Sequence, residues 1–200
     1  MRSHLIERVF EVIAAAAVLT FFLPLMLIVA MVVRRDGGPV LYRQQRIGRG
    51  GRPFLSLKFR TMAVDADVQL EALLARDSRA RREWDQQHRL NWDPRITWIG
   101  AHLRRSSLDE LPQLINVLRG DMSLVGPRPI VAAEIARYGR RFSTYCSVRP
   151  GLTGLWQLGD RKAASYRRRV AMDIHYARRR SLCLYFAIIF ATIPTLLMST

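Results

Sequence analysis

"VFEVIAAAAVLTFFLPLMLIVAMVV", residues 9–33, carries a single charge, Glu11, in 25 positions. As a helix rising 1.5 Å per residue it would reach about 37 Å, enough to cross the hydrocarbon of a bilayer. The run is too long for a secretory signal, and no small-residue cleavage site precedes Arg34 and Arg35, so the segment is expected to stay. Pro24 divides it into arms of 15 and 9 residues, each shorter than the roughly 20 residues a span requires. Arg2 and Arg8 precede the run, and Arg34 and Arg35 follow it. Positive charge at both ends gives no orientation and suits a helix that dips into the membrane and returns to the same face. Hydropathy alone favours an ordinary span, because prolines are tolerated in membrane helices.

Outward from this segment, the chain holds 32 Lys+Arg against 16 Asp+Glu, a formal charge of +16 over 200 residues. That excess suits nucleic acid, anionic lipid or phosphorylated small molecules and does not choose among them. Cys146 and Cys183 are the only cysteines and lack metal or redox spacing, so nothing calls for an oxidising compartment. A second apolar stretch, residues 182–198, follows Arg178, Arg179 and Arg180 and contains Pro194. It reads as a helix in the membrane interface over anionic lipid, or otherwise as a buried core helix. Three parts are expected: a membrane helix at 1–35, a cytosolic domain at 36–180 and an interfacial helix at 181–200.

The middle part opens as a β-hairpin. "PVLYRQQRI" and "PFLSLKFRTM" are strand-like runs separated by Gly48, Gly50 and Gly51, expected to supply the positive φ of a turn. Period two places Leu55, Leu57 and Phe59 on one face and Ser56, Lys58 and Arg60 on the other. Lys58 is one of two lysines among 30 arginines, and a compact ammonium there suits a phosphate oxygen, the alternative being a solvated strand face. Residues 65–90 read as helical, with Val68, Leu73 and Leu74 as a thin apolar stripe.

"SSLDELPQL", residues 106–114, sets Asp109 and Glu110 side by side behind Arg104 and Arg105. Ser107 and Glu110 have capping-box spacing, yet Pro112 would then break an intrahelical bond, so the helix is expected to begin with Asp109 as N-cap. A carboxylate there is kept ionised by the helix dipole and could act as a nucleophile, or simply as a cap. Arg128, held between Pro127 and Pro129, and Arg149 and Arg161 in glycine-rich loops, suit bidentate phosphate binding.

The segments "GPVLYRQQRIGRGGRPFLSLKFRTM", "DPRIT", "LRRSSLDELPQLINVLRGDMSLVGPRP", "RPGLTGLWQLGDR" and "MDIHY" together resemble the small monotopic polyprenyl-phosphate phosphoglycosyl transferases of bacteria, the bacterial sugar transferases, over nearly the whole chain. The resemblance implies an α+β, mainly helical fold with a re-entrant membrane helix broken at Pro24, a short β-hairpin and interfacial amphipathic helices. It implies transfer of a sugar 1-phosphate from a UDP-sugar to polyprenyl (undecaprenyl) phosphate with release of UMP, using Mg2+, at the cytoplasmic face of the inner membrane. Asp109 would be the nucleophile that carries a covalent phosphosugar, and Glu110 its partner, the two also holding the metal. Lys58, Arg104, Arg128 and Arg161 would bind substrate phosphates, and Asp173 matches a further acid of the family. The "GLWQLGDR" segment leans towards a hexose donor over an acetamido sugar, and Leu23 stands where the family has serine before proline. Membrane lipids and a second copy of the chain are the expected further partners, with no nucleic acid. The competing reading is a non-catalytic, membrane-anchored basic protein that binds anionic lipid or nucleic acid; its arginine runs lack the aromatics that nucleic-acid faces use for stacking.

Overall fold

The computed structural model describes residues 2–87, 90–158 and 165–197. The long apolar run forms α1, Arg2–Arg34, which carries through Pro24 as one element. Packing ties it to the rest of the chain along its length. Phe10 joins a cluster with Tyr176, Tyr185 and Ile188, Ala15 and Leu19 meet Leu114 and Val117, and Val29 and Val33 meet Phe59 and Leu103. Its outward face is apolar and open, with Phe21 78% exposed and Leu23, Leu27, Ile28 and Met31 also exposed.

Both ends of α1 are fastened by arginines. Arg8 donates to the Val117 and Leu118 carbonyls at 2.7 and 3.0 Å. Arg60 donates to the Val33 carbonyl at 2.9 Å and grips Asp36 with both terminal nitrogens at 2.6 and 2.5 Å, which holds the Asp36 carboxyl down at about 2. The orphan carbonyls of a helix C-terminus are thereby satisfied by side chains from other elements.

The expected hairpin is present: β1 Leu41–Ile47 pairs antiparallel with β2 Pro53–Phe59, with Tyr42 opposite Lys58 and Gln44 opposite Ser56. Gly50 and Gly51 take positive φ of 70° and 73°, whereas Gly48 does not; what Gly48 avoids is a Cβ against the Phe54 ring. Leu57 and Phe59 are buried, but Leu55 is exposed near the turn.

The helical reading of 65–90 divides into α2 Ala66–Arg76 and α3 Ser78–Gln87, because Asp77 leaves helical geometry and accepts from the Arg79 and Ala80 amides. Leu73 packs with Ala80 and Leu90, while Val68 faces outward. Helix α4, Trp98–Arg105, is capped by Thr97 and sits close enough to the chain just after β2 that a Cβ at Gly100 would lie 2.0 Å from the Thr61 carbonyl oxygen. Helix α5 is Gln113–Arg119.

A second, parallel pair, β3 Ser123–Val125 and β4 Gly151–Thr153, brings the loop after α5 against the segment carrying Trp156. Short helices α6 Ile135–Tyr138 and α7 Phe142–Cys146 lie between those strands in sequence. Helices α8 Tyr166–Arg179 and α9 Leu182–Leu197 complete the chain, with Pro194 inside α9.

One side chain joins the hairpin to α5. Asn116, fully buried, accepts from the Leu57 amide at 3.0 Å and donates to the Leu55 carbonyl at 2.8 Å, pairing with β2 as a neighbouring strand would. Losing both bonds in a dry site should cost about 2–4 kcal/mol. Asn116→Ala is therefore expected to lower the unfolding free energy of the detergent-solubilised protein by that amount; a loss below about 0.5 kcal/mol would show that the hairpin is held by other contacts.

Candidate active site

The chain enters the acidic turn through Ser107, the one described non-glycine residue at positive φ, 57°. Leu108–Glu110 is a 3-10 turn with no side-chain cap, and α5 begins only at Gln113, after Pro112. The expected helix start at Asp109 is thus corrected: the amides of Glu110 and Leu111 bond three residues back, and Pro112, which has no N–H, falls at the α-helix N-cap. Asp109 faces inward, 8% exposed, and burial pushes its carboxyl above the ordinary aspartate value, with Glu110 adding to this and Lys58 and Arg104 opposing it. Desolvation therefore outweighs the dipole-kept ionisation that the sequence reading expected.

Glu110 points the other way. Its carboxylate takes the Lys58 ammonium at 2.5 Å, and both line a small polar cleft of about 40 Å³ with Arg46, Ser56, Arg128 and Trp156. Arg46 was not singled out from the sequence. It donates to the Pro129 carbonyl at 2.9 Å and to Gln44 at 2.5 Å. Burial and the adjacent Arg128 charge pull its pKa below the usual guanidinium value. Trp156 forms a wall on which Arg128 stacks at 5.2 Å and Arg169 at 5.6 Å, which orients planar cations without neutralising them.

The other expected site residues are dispersed. Arg104 leaves α4 and donates to Thr61 at 2.9 Å, near enough to influence Asp109 but off the cleft wall. Arg149 turns away to cap the α5 C-terminus at the Gly120 carbonyl, 2.9 Å, and so does not act in the cleft. Arg161 falls outside the described residues. Asp173 lies behind Arg128 and not on the cleft wall: it is 2% exposed and accepts the Tyr138 hydroxyl at 2.7 Å, with Arg169 at 3.9 Å.

Against the polar cleft lies an apolar groove of about 460 Å³. One wall is the α1 ridge Phe10, Ala14, Val18 and Phe22, spaced four apart, and the other is Ile189, Thr192 and Ile193 of α9. Leu108, Leu111 and Leu114 contribute its floor. Glu110, Leu152 and Gln157 line both spaces, so a ligand with a charged head and an apolar tail would place its junction at Glu110.

Burial pushes the Asp173 carboxyl up to about 6, with the Tyr138 hydroxyl and Arg169 pulling the other way. The folded state then holds this proton more tightly than an unfolded chain with the ordinary value of 3.8. Ionised Asp173 costs stability above about pH 6, and that cost is relieved as pH falls towards 4; roughly two pH units amount to about 3 kcal/mol. Asp173→Asn keeps an acceptor for Tyr138 without titrating. Urea unfolding in detergent should show wild type gaining about 1.4 kcal/mol over the variant between about pH 8 and pH 5, whereas parallel curves would place the titration elsewhere.

Residues 2–199 match the family described as bacterial sugar transferase. The chain is 47% identical over 195 residues to the UDP-galactose-lipid carrier transferase of Erwinia amylovora, covering 98% of this chain and 41% of that protein. It is 47% identical over 194 residues to the exopolysaccharide production protein ExoY of Rhizobium meliloti, covering 96% of this chain and 86% of the relative. A third relative, the UDP-glucose:undecaprenyl-phosphate glucose-1-phosphate transferase of Caulobacter vibrioides, is 42% identical over 200 residues, with 96% and 69% covered. This chain therefore spans less than half the length of the Erwinia protein and most of ExoY. With the match running from end to end, the chain belongs to the bacterial sugar transferase family.

Proposed function

We propose that this chain transfers a sugar 1-phosphate from a UDP-sugar to undecaprenyl phosphate, releasing UMP and forming a polyprenyl-diphosphate-sugar that begins glycan assembly. The observation that carries this reading is Glu110 on the shared wall of a cationic cleft and an apolar groove. The cleft supplies Lys58, Arg46 and Arg128 to a diphosphate, and the groove supplies apolar surface to an isoprenoid chain. A passive lipid- or nucleic-acid-binding surface would not need a buried carboxylate one residue from that junction. The names of the Erwinia and Caulobacter relatives, with galactose and glucose, favour a hexose donor.

In the proposed first step an Asp109 carboxylate oxygen attacks the sugar-bearing phosphorus, and the bond to UMP breaks with its electron pair leaving on UMP. In the second, a phosphate oxygen of the lipid attacks the same phosphorus and frees the carboxylate. Lys58 and Arg128 hold the negative oxygens in place during both. Of the two carboxylates, Asp109 faces inward, while Glu110 beside it on the cleft wall is the hard oxygen donor placed to hold Mg2+ together with substrate phosphates. When bound there it would neutralise diphosphate charge.

The proposed membrane placement is argued from α1. Residues 8–15 and 29–33 pack on the same domain, and its open face is apolar. This supports a monotopic arrangement in the inner membrane, both flanks cytoplasmic, with α1 and α9 embedded and the cleft facing the cytoplasm, where UDP-sugars are available.

The decisive experiment incubates the enzyme with UDP-galactose or UDP-glucose without lipid. A hexose-phosphate mass on Asp109, release of UMP, and loss of turnover by at least about 10³-fold in Asp109→Asn are expected. Glu110→Gln should keep weak activity. Glu110's place on both cavity walls favours it as the alternative nucleophile, and an adduct mapped to Glu110 would assign it that role. Full activity in Asp109→Asn with no adduct would overturn the covalent route.

A further inference from the structure

Two carboxylates of α1 are buried where an apolar helix would be expected to carry none. Glu7 and Glu11 are 2% and 1% exposed. Glu7 pairs with Arg180, at the end of α8. Glu11 accepts from Ser123, from the Tyr185 hydroxyl of α9 at 3.2 Å and from Arg8 at 3.3 Å. Between them Phe10 meets Phe186 edge to face, with centroids 5.1 Å apart.

Burying these groups is costly, and apolar side chains at both positions would join the helices with equal or greater stability. What the ionic and hydrogen-bonded set supplies instead is one geometry. Its members on α1 and α9 sit within about a turn of the groove walls: Phe10 and Ala14 flank Glu11 on α1, and Ile189 lies four residues after Tyr185 on α9. A slip of α1 against α9 therefore changes the groove directly. The cleft residues Lys58, Arg46 and Arg128 stand on the hairpin and on the segment after β3, apart from this contact.

We propose that Glu7 and Glu11 are positioning residues for the lipid acceptor: clasped to Arg180 and Tyr185, they set the spacing of the two walls that receive the prenyl chain. The proposal rests on the reading of the groove as the acceptor-tail site. It assigns these residues to the second half of the reaction and gives them no part in the first.

The test uses the full chain in lipid nanodiscs and separates the halves. UMP release from UDP-hexose without lipid reports the first, and kcat and KM for undecaprenyl phosphate and for the short geranyl phosphate report the second. Tyr185→Phe, which keeps the ring, and Glu11→Gln should raise KM for undecaprenyl phosphate about tenfold, matching loss of a buried hydrogen bond. UMP release and the kinetics with geranyl phosphate should stay unchanged. Glu7→Arg and Arg180→Glu should each raise that KM, and combining them should restore it. Parallel loss of both halves, or an unchanged KM in the folded Tyr185→Phe protein, would overturn the clasp while leaving the transferase reading intact. A wild-type enzyme that does not distinguish undecaprenyl from geranyl phosphate would remove the groove reading and the clasp with it.

Discussion

The packing of α1 onto the domain at both of its ends is the constraint on which the other features depend. Arg8 binds the carbonyls at the end of α5, and Arg60 binds the carbonyl at the end of α1 itself. Between those two points Ala15, Val29 and Val33 are buried against the domain. Packing at both ends supports the proposal that the two flanks of α1 lie on one side of the bilayer. The same packing makes its inner ridge a wall of the apolar groove, so in the proposed reading membrane attachment and acceptor binding use one element. Its outer face, left apolar, provides the driving force for insertion.

Within that frame the site is assembled by β2 and α5. Asn116 pins the helix to the strand, and Lys58 on β2 reaches Glu110 just before that helix. The turn through Ser107 splits the acidic pair, sending Asp109 inward and Glu110 to the cleft. Two adjacent carboxylates thereby receive different environments: burial raises the pKa of one, and an ammonium contacts the other. Of the cations opposite them, Arg128 is oriented by the neutral Trp156 ring, whereas Arg46 is shared between the Pro129 carbonyl and the Glu134 carboxylate at 3.9 Å.

Much of this was legible in the sequence because it rests on short-range rules. The apolar run, the glycine-turned hairpin and the alternation that puts Ser56 and Lys58 on one face are periodicity and turn chemistry. Arg46 was within reach of the same logic, since residues paired across antiparallel strands share a face: Gln44 opposite Ser56 places Arg46 on the side of Lys58. The position of α5's start was misread because Pro112 is compatible with more than one register, and the αL turn at Ser107 has no local signature. Asn116, the capping roles of Arg8 and Arg149, and the three-residue strands β3 and β4 depend on contacts between distant segments, which no window of sequence displays.

The arrangement of α1 can be read out directly in cells. With Cys146 and Cys183 replaced by serine, a cysteine introduced at Ser3 is treated with a membrane-impermeant thiol reagent before and after the cells are opened. Two-ended packing on one domain, with that domain cytoplasmic as proposed, predicts protection in intact cells and labelling once they are permeabilised, matching a cysteine placed at Arg35. Labelling of the Ser3 position in intact cells, with Arg35 protected, would mean that α1 crosses the membrane and would contradict the account.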